Sequence, residues 1–151
     1  MTDNFDTDSK EGLEPLKVQN EGEFFHEPES SESRPFSRAV RAGGMVYISG
    51  HSAPHDPQNG IFRGDTPADE VRNAINYIAT ILTNADSGLE KVFQVTMLIN
   101  DKADYAALNA EYRRYFPNGL PARHTALFGV PTRARVAFAC VALANKLIDH
   151  P

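Results

Sequence analysis

One cysteine, Cys140, is all that these 151 residues contain. An intrachain disulfide is therefore impossible, and the chain reads as intracellular and cytoplasmic. Cys140 lies in a run of small apolar residues and reads as a buried hydrophobe rather than a nucleophile. No apolar segment approaches the roughly 20 residues of a membrane span. The acidic N-terminus has no apolar core of a signal peptide, so no membrane role is expected. A basic stripe with interleaved aromatics is also missing, and the formal net charge is −5; nucleic acid is not an expected partner. One further absence is local. Between Tyr112 and Ile148 there is no Asp or Glu, so no strand in that stretch can offer a carboxylate.

What is present fits a single domain. The acid is unevenly placed: residues 1–34 hold 10 acids and 3 bases, and residues 35–151 hold 10 and 12. Residues 1–12 read as a solvated, disordered acidic tail. Residues 13–34 read as an edge strand, Leu13 to Val18, followed by a loop; Pro15 confines that strand to an edge. Residues 35–148 form the folded domain.

Its elements follow from periodicity. Phe36 to Val40 and Met45 to Ser49 read as strands joined by a tight turn, for which Gly43-Gly44 supplies positive φ. His51 to Gly60 reads as a loop. Pro54 and Pro57 exclude the regular helix that would align His51 and His55 as ligands, so no metal site is expected. Thr66-Pro67-Ala68-Asp69-Glu70 opens a helix, with Thr66 as N-cap and the acids at the positive end of the dipole. Val71, Ala74, Ile75, Ile78, Ile81 and Leu82 give it one apolar face. Phe93, Val95, Met97 and Ile99 alternate as a half-buried strand. Asp101 caps a second helix with Tyr105, Leu108, Tyr112 and Phe116 in one stripe and Asn109 beside it. Asn109 either orients a ligand or locks the helix to a loop. Ala122 to Phe128 is a strand, with Arg123 and Thr125 on one face and His124 and Ala126 on the other. Val136 to Leu143 is a continuous apolar strand buried on both faces. The sum is an α+β fold, a mixed β-sheet with two α-helices packed on one face. The other face keeps Val, Ala and Phe side chains that need a partner.

The chemical centre is Arg123, in Pro121-Ala122-Arg123-His124-Thr125, behind a loop stiffened by Pro117, Gly119 and Pro121. A guanidinium presents a flat fork of donors that matches a carboxylate two-on-two, although most arginines end in surface ion pairs. Three more stretches stand in order with it: Pro35-Phe36-Ser37, Ser49-Gly50-His51 and Asn109-Ala110-Glu111-Tyr112. Together, from about Pro35 to Leu143, they resemble the RidA family, also called the YjgF family.

That resemblance implies a RidA/chorismate-mutase-like fold, a homotrimer with sheets turned inward, and a ligand cleft at each subunit interface. It implies hydrolysis of enamines and imines of the 2-aminoacrylate type to 2-oxo acids and ammonia, without a cofactor. Arg123 would clamp the carboxylate of a small substrate, with backbone N–H groups at Gly50 and Thr125 helping, and with Asn109 and Phe36 lining the site. Two positions depart from the pattern. A tyrosine of the family's Pro-Tyr-Ser segment is here Phe36, and its water-holding glutamate falls at Ala137. Ser49 and His51 share strand parity and are the candidate catalytic replacements, His51 as general base. A non-catalytic carboxylate binder or regulator is the alternative, and RNA cleavage, attributed to some relatives, is disfavoured by charge.

Overall fold

The computed structural model describes residues 22–26 and 34–145. Six strands form one sheet: β1 (Glu23–Phe25), β2 (Ala39–Ala42), β3 (Met45–Ser52), β4 (Val92–Ile99), β5 (Ala122–Leu127) and β6 (Val136–Leu143). Their order is β1-β2-β3-β6-β4-β5, and only the β4–β5 pair is parallel. Two helices, α1 (Pro67–Asn84) and α2 (Tyr105–Tyr112), connect the strands and pack on each other.

The turn between β2 and β3 has φ of 60° at Gly43 and 77° at Gly44, the left-handed conformation a two-residue hairpin needs. Helix α1 starts as its residues dictate. The Thr66 hydroxyl accepts from the Asp69 N–H at 3.1 Å, and Pro67 takes the first helical position. Val71, Ala74, Ile75, Ile78, Ile81 and Leu82 are all buried, each larger one contributing about 1.5–3 kcal/mol of burial. They meet Val46 and Ile48 of β3, Val95, Met97 and Ile99 of β4, and Val136, Phe138, Cys140 and Ala142 of β6 in one core.

Among the described residues no helix covers the opposite sheet face. On it stand Tyr47 and Leu143, 45% and 52% exposed, with Val141 of β6 paired to Tyr47. Ala137 shares that face, paired with Ser52 on one side and Leu98 on the other. The face is thus apolar at its centre and open.

The expected Leu13–Val18 strand lies outside the described residues; among those described, an edge strand at Glu23–Phe25 pairs against Ala39–Arg41. Four other expectations change. Phe36 precedes the first hairpin strand, which begins at Ala39, and β3 runs on to Ser52 rather than stopping at Ser49. Phe93 is exposed and Val92 buried, because the β4–β6 ladder shifts register between Val92 and Gln94. The second helix begins at Tyr105; Asp101 caps a preceding 3-10 turn, Lys102–Asp104, by accepting from the Ala103 N–H at 2.9 Å.

Glu70 does more than complement a helix dipole. It is 1% exposed. One carboxylate oxygen accepts from the backbone N–H groups of Arg135 and Val136, the other from the Arg135 guanidinium at 3.3 Å. Arg135 also donates to the carbonyls of Gly64 and Asp65. This cluster ties the start of α1 to the start of β6.

Candidate functional site

Arg123 stands on β5, the edge strand that pairs with β4 at Val95. Val95 is a core residue, so Arg123 leaves the sheet on its helix-covered side. There it meets α2. Its guanidinium carbon lies 4.8 Å from the centroid of the Tyr112 ring, a cation–π contact. Its Nη2 donates to the Tyr105 hydroxyl at 3.3 Å. Tyr112 is itself held by Phe138, stacked at 5.8 Å, and by Phe116 at 5.0 Å. Spacing along α2 explains the group: Tyr105, Asn109 and Tyr112 recur at helical intervals and face one way. With Arg113, Leu120, Pro121 and Arg123 they line a cleft of about 250 Å³.

The electrostatics of the cleft split its two tyrosines. The Tyr105 hydroxyl is held below the ordinary phenol range, first by a hydrogen bond from the Asn109 side chain, then by the charge of Arg123. Thr125 also reaches it. Burial pushes the Tyr112 phenol up, and the Arg123 charge offsets this only in part. Two buried polar atoms of the cleft residues, Asn109 Oδ1 and Tyr112 Oη, have no hydrogen-bond partner of ordinary geometry. Among the described residues no carboxylate lines the cleft.

The structure brings Arg123, Asn109 and Thr125 together and holds Ser49, Gly50 and Phe36 elsewhere. Strands β6 and β4 separate β3 from β5, so the two groups are about 14 Å apart across the sheet at ordinary strand spacing. Around β3 the residues are also engaged. The Ser49 hydroxyl donates to the Ser37 carbonyl at 2.6 Å, and the Ser49 N–H to the Arg38 carbonyl at 3.1 Å. Phe36 is 48% exposed. A Cβ placed on Gly50 would meet nothing within 4 Å, so the space over that backbone is open in the single chain.

The shared parity expected for Ser49 and His51 does not hold. The β3–β6 register shifts between Ile48 and His51, which turns His51 into the core beside Phe138. His51 is 4% exposed; its Nε2 lies 3.1 Å from the Arg38 carbonyl and its ring meets Tyr77 edge-on at 5.5 Å. A carbonyl only accepts, so this nitrogen carries the proton. Ala137 faces the open side of the sheet, away from Arg123 of the same chain. Among the described residues no group of three or more His, Cys, Asp or Glu is placed to hold a metal.

Sequence reasoning missed Tyr105 and Arg113 as cleft residues. Tyr105 was counted in the apolar stripe, yet it is 42% exposed while Leu108 and Tyr112 are buried. The available signal was its position four residues before Asn109.

Fold and cleft together define a mixed-sheet α+β domain with an arginine-centred cleft at one sheet edge. The family model described as endoribonuclease L-PSP matches residues 26–144, and the chain belongs to this family, the one that includes the RidA and YjgF proteins. A relative named 3-aminoacrylate deaminase RutC, from Acinetobacter baylyi, is 35% identical over 96 residues, 64% of this chain and 75% of that one. The RutC family protein UK114 of Drosophila melanogaster is 31% identical over 114 residues, 75% of this chain and 82% of its own. A solved structure of a YjgF family member from Neisseria meningitidis superposes with a TM-score of 0.69, covering 84% of this chain and 98% of its own at 22% identity, a likeness of fold.

Proposed function

We propose that this chain hydrolyses reactive enamines and imines of the 2-aminoacrylate type to a 2-oxo acid and ammonia. The observation that carries the proposal is Arg123, seated on the Tyr112 face with Asn109 beside it. The guanidinium fork matches a substrate carboxylate. The unpartnered Asn109 Oδ1 suits the adjacent amino or imino N–H. A charge clamp beside an amide acceptor is the complement of a 2-amino-acrylate, whose two polar groups sit on one carbon. The deaminase name of the A. baylyi relative supports the same substrate class.

The working assembly in this proposal is a homotrimer. The open apolar sheet face supports it. So does the separation of the two half-sites: the Phe36, Ser49 and Gly50 surface of one copy would complete the Arg123 cleft of the next. No cofactor is needed, because binding orients the substrate and the remaining task is to move protons to and from a water.

A second reading, a binder of carboxylate metabolites without catalysis, rests on the absence of any Asp or Glu between Tyr112 and Ile148. One experiment separates the two. The protein is added to a serine/threonine dehydratase reaction, and ammonia and 2-oxo acid release are followed beside calorimetric binding of pyruvate. Faster release supports the enzyme; binding without faster release supports the binder. Absence of both defeats the Arg123 assignment.

A further inference from the structure

Deamination needs a group that gives and takes a proton, and among the described residues the cleft has no carboxylate. His51 is packed in the core three strands away from β5. The Ser49 hydroxyl is committed to the Ser37 carbonyl. Tyr112 is buried under the guanidinium, and Tyr115 donates to Glu111 at 2.9 Å.

We infer that Tyr105, whose hydroxyl meets Arg123 Nη2 on the wall of the cleft, is the proton-transfer residue of this site. The inference rests on the deaminase reading above and names a residue for it. Three observations carry it. Tyr105 is 42% exposed and lines the cleft, so substrate and water reach its hydroxyl. Its oxygen is the convergence point of a guanidinium, the Asn109 amide and the Thr125 hydroxyl, groups that stabilise a phenolate. Among the residues that line the cleft, the charged and titratable groups beside it are Arg123 of β5, Tyr112 of α2 and Arg113, one residue past the end of α2, with no carboxylate among them. The downward displacement of its pKa agrees with this geometry.

The steps balance. With the substrate carboxylate on Arg123, the Tyr105 hydroxyl gives its proton to the methylene carbon of 2-aminoacrylate. The C=C π pair forms the new C–H bond, the nitrogen lone pair forms C=N, and an iminium and a phenolate result. A water oxygen then attacks the iminium carbon, the C=N π pair returns to nitrogen, and the phenolate takes the water proton. Tyr105 is restored, and the carbinolamine loses ammonia as its hydroxyl becomes the carbonyl of the 2-oxo acid. Arg123 stays charged throughout and holds the phenolate between the two transfers.

The test is Tyr105→Phe, assayed with 2-aminoacrylate made in place by a serine/threonine dehydratase. The protein-dependent rate should fall about a hundredfold, while pyruvate affinity stays within about twofold because the Arg123 fork remains. The pH profile carries the decisive readout. The resting phenol must be protonated to act, so the wild-type rate should fall as pH rises through a tyrosine ionisation below the ordinary range. That limb should vanish in Tyr105→Phe, together with the earliest step in tyrosinate absorbance. Thermal melting establishes that the variant is folded, as expected for so exposed a ring. A wild type with deaminase activity and an equally active Tyr105→Phe with an unchanged alkaline limb overturns this inference alone. A wild type with no deaminase activity overturns the function proposed above and this inference with it.

Discussion

Arg123 sits over the Tyr112 ring: the guanidinium carbon is 4.8 Å from the ring centroid, and the ring packs in turn against Phe116 and Phe138. The guanidinium of an edge strand is thereby fixed from beneath by the core. Arg123→Ala should abolish binding of small 2-oxo acids by calorimetry while leaving melting nearly unchanged. Arg123→Lys should also bind poorly, since an ammonium neither stacks as a plane nor forks onto a carboxylate. Two variants that bind like wild type would remove Arg123 from the site.

The uncovered sheet face leads to a prediction about mass. Light scattering should give about 50 kDa, three copies of a 16.7 kDa chain. Tyr47→Glu, at a position 45% exposed on that face, should shift the population toward single chains, because the association would bury its charge. A monomeric wild type at micromolar concentration would rule out a site shared between copies.

Glu70 should be the costliest polar residue to remove. Glu70→Ala leaves two backbone N–H groups and the Arg135 guanidinium without their carboxylate. A loss of about 3 kcal/mol is expected in urea unfolding. Gly64→Ala should also destabilise. Its φ is 140°, and a Cβ there would come within 2.7 Å of the Glu70 nitrogen. A Glu70→Ala midpoint equal to wild type would show that the cluster contributes nothing net.

His51 is expected to act on stability more than on turnover. Its ring fills space against Tyr77 and its Nε2–H meets the Arg38 carbonyl. His51→Gln should lower stability by about 1–2 kcal/mol, and the pH profile of any deaminase activity through the histidine range should stay as in wild type. Loss of such a limb in His51→Gln, with unchanged melting, would restore the catalytic role expected from the sequence.

Alkaline pH should expose the burial of Cys140. Its thiol, 7% exposed, is pushed up to about 12 by desolvation, from 9.0. In the unfolded chain it ionises near its ordinary value. Its contribution is therefore complete below that value and drains away as pH rises toward the folded one, by about 1.4 kcal/mol per pH unit. Tyr115, raised to about 12 by burial and by its Glu111 partner, works in the same direction. Cys140→Ala should flatten part of this loss, and a thiol reagent should label the native protein only after unfolding. Rapid labelling at neutral pH would contradict the burial.

Much of the architecture was legible because it is local. Thr66, Pro67 and the apolar spacing from Val71 to Leu82 specify α1 without reference to any other element, and Gly43-Gly44 specifies its hairpin turn. The strand Val136–Leu143 was read to the residue, since a continuous apolar run bounded by a turn has few alternatives. Strand parity gave the face of Arg123, whereas Asn109 was placed beside it only by the family resemblance, since helical spacing left it equally able to lock the helix to a loop.

The side chains that the sequence reading put on the wrong face of the sheet share one reason. A register shift of one residue reverses every side chain beyond it, and neither the shift between Ile48 and His51 nor the one between Val92 and Gln94 leaves a mark in composition or periodicity. The first moved His51 from the expected cleft into the core; the second exchanged Phe93 for Val92. Tyr105 was missed for a different reason: an aromatic residue in an apolar stripe declares its ring but not which end of the stripe reaches solvent. The amino-acid sequence by itself determined the helices, the hairpin, the unpartnered apolar sheet face and the absence of a carboxylate from the last strands. Each depends on residue identity over a few positions. Only the tertiary structure decided which polar groups meet, because the pairing of Arg123 with Tyr105 and Tyr112, the burial of His51, and the Glu70 clamp on β6 depend on strand order and register.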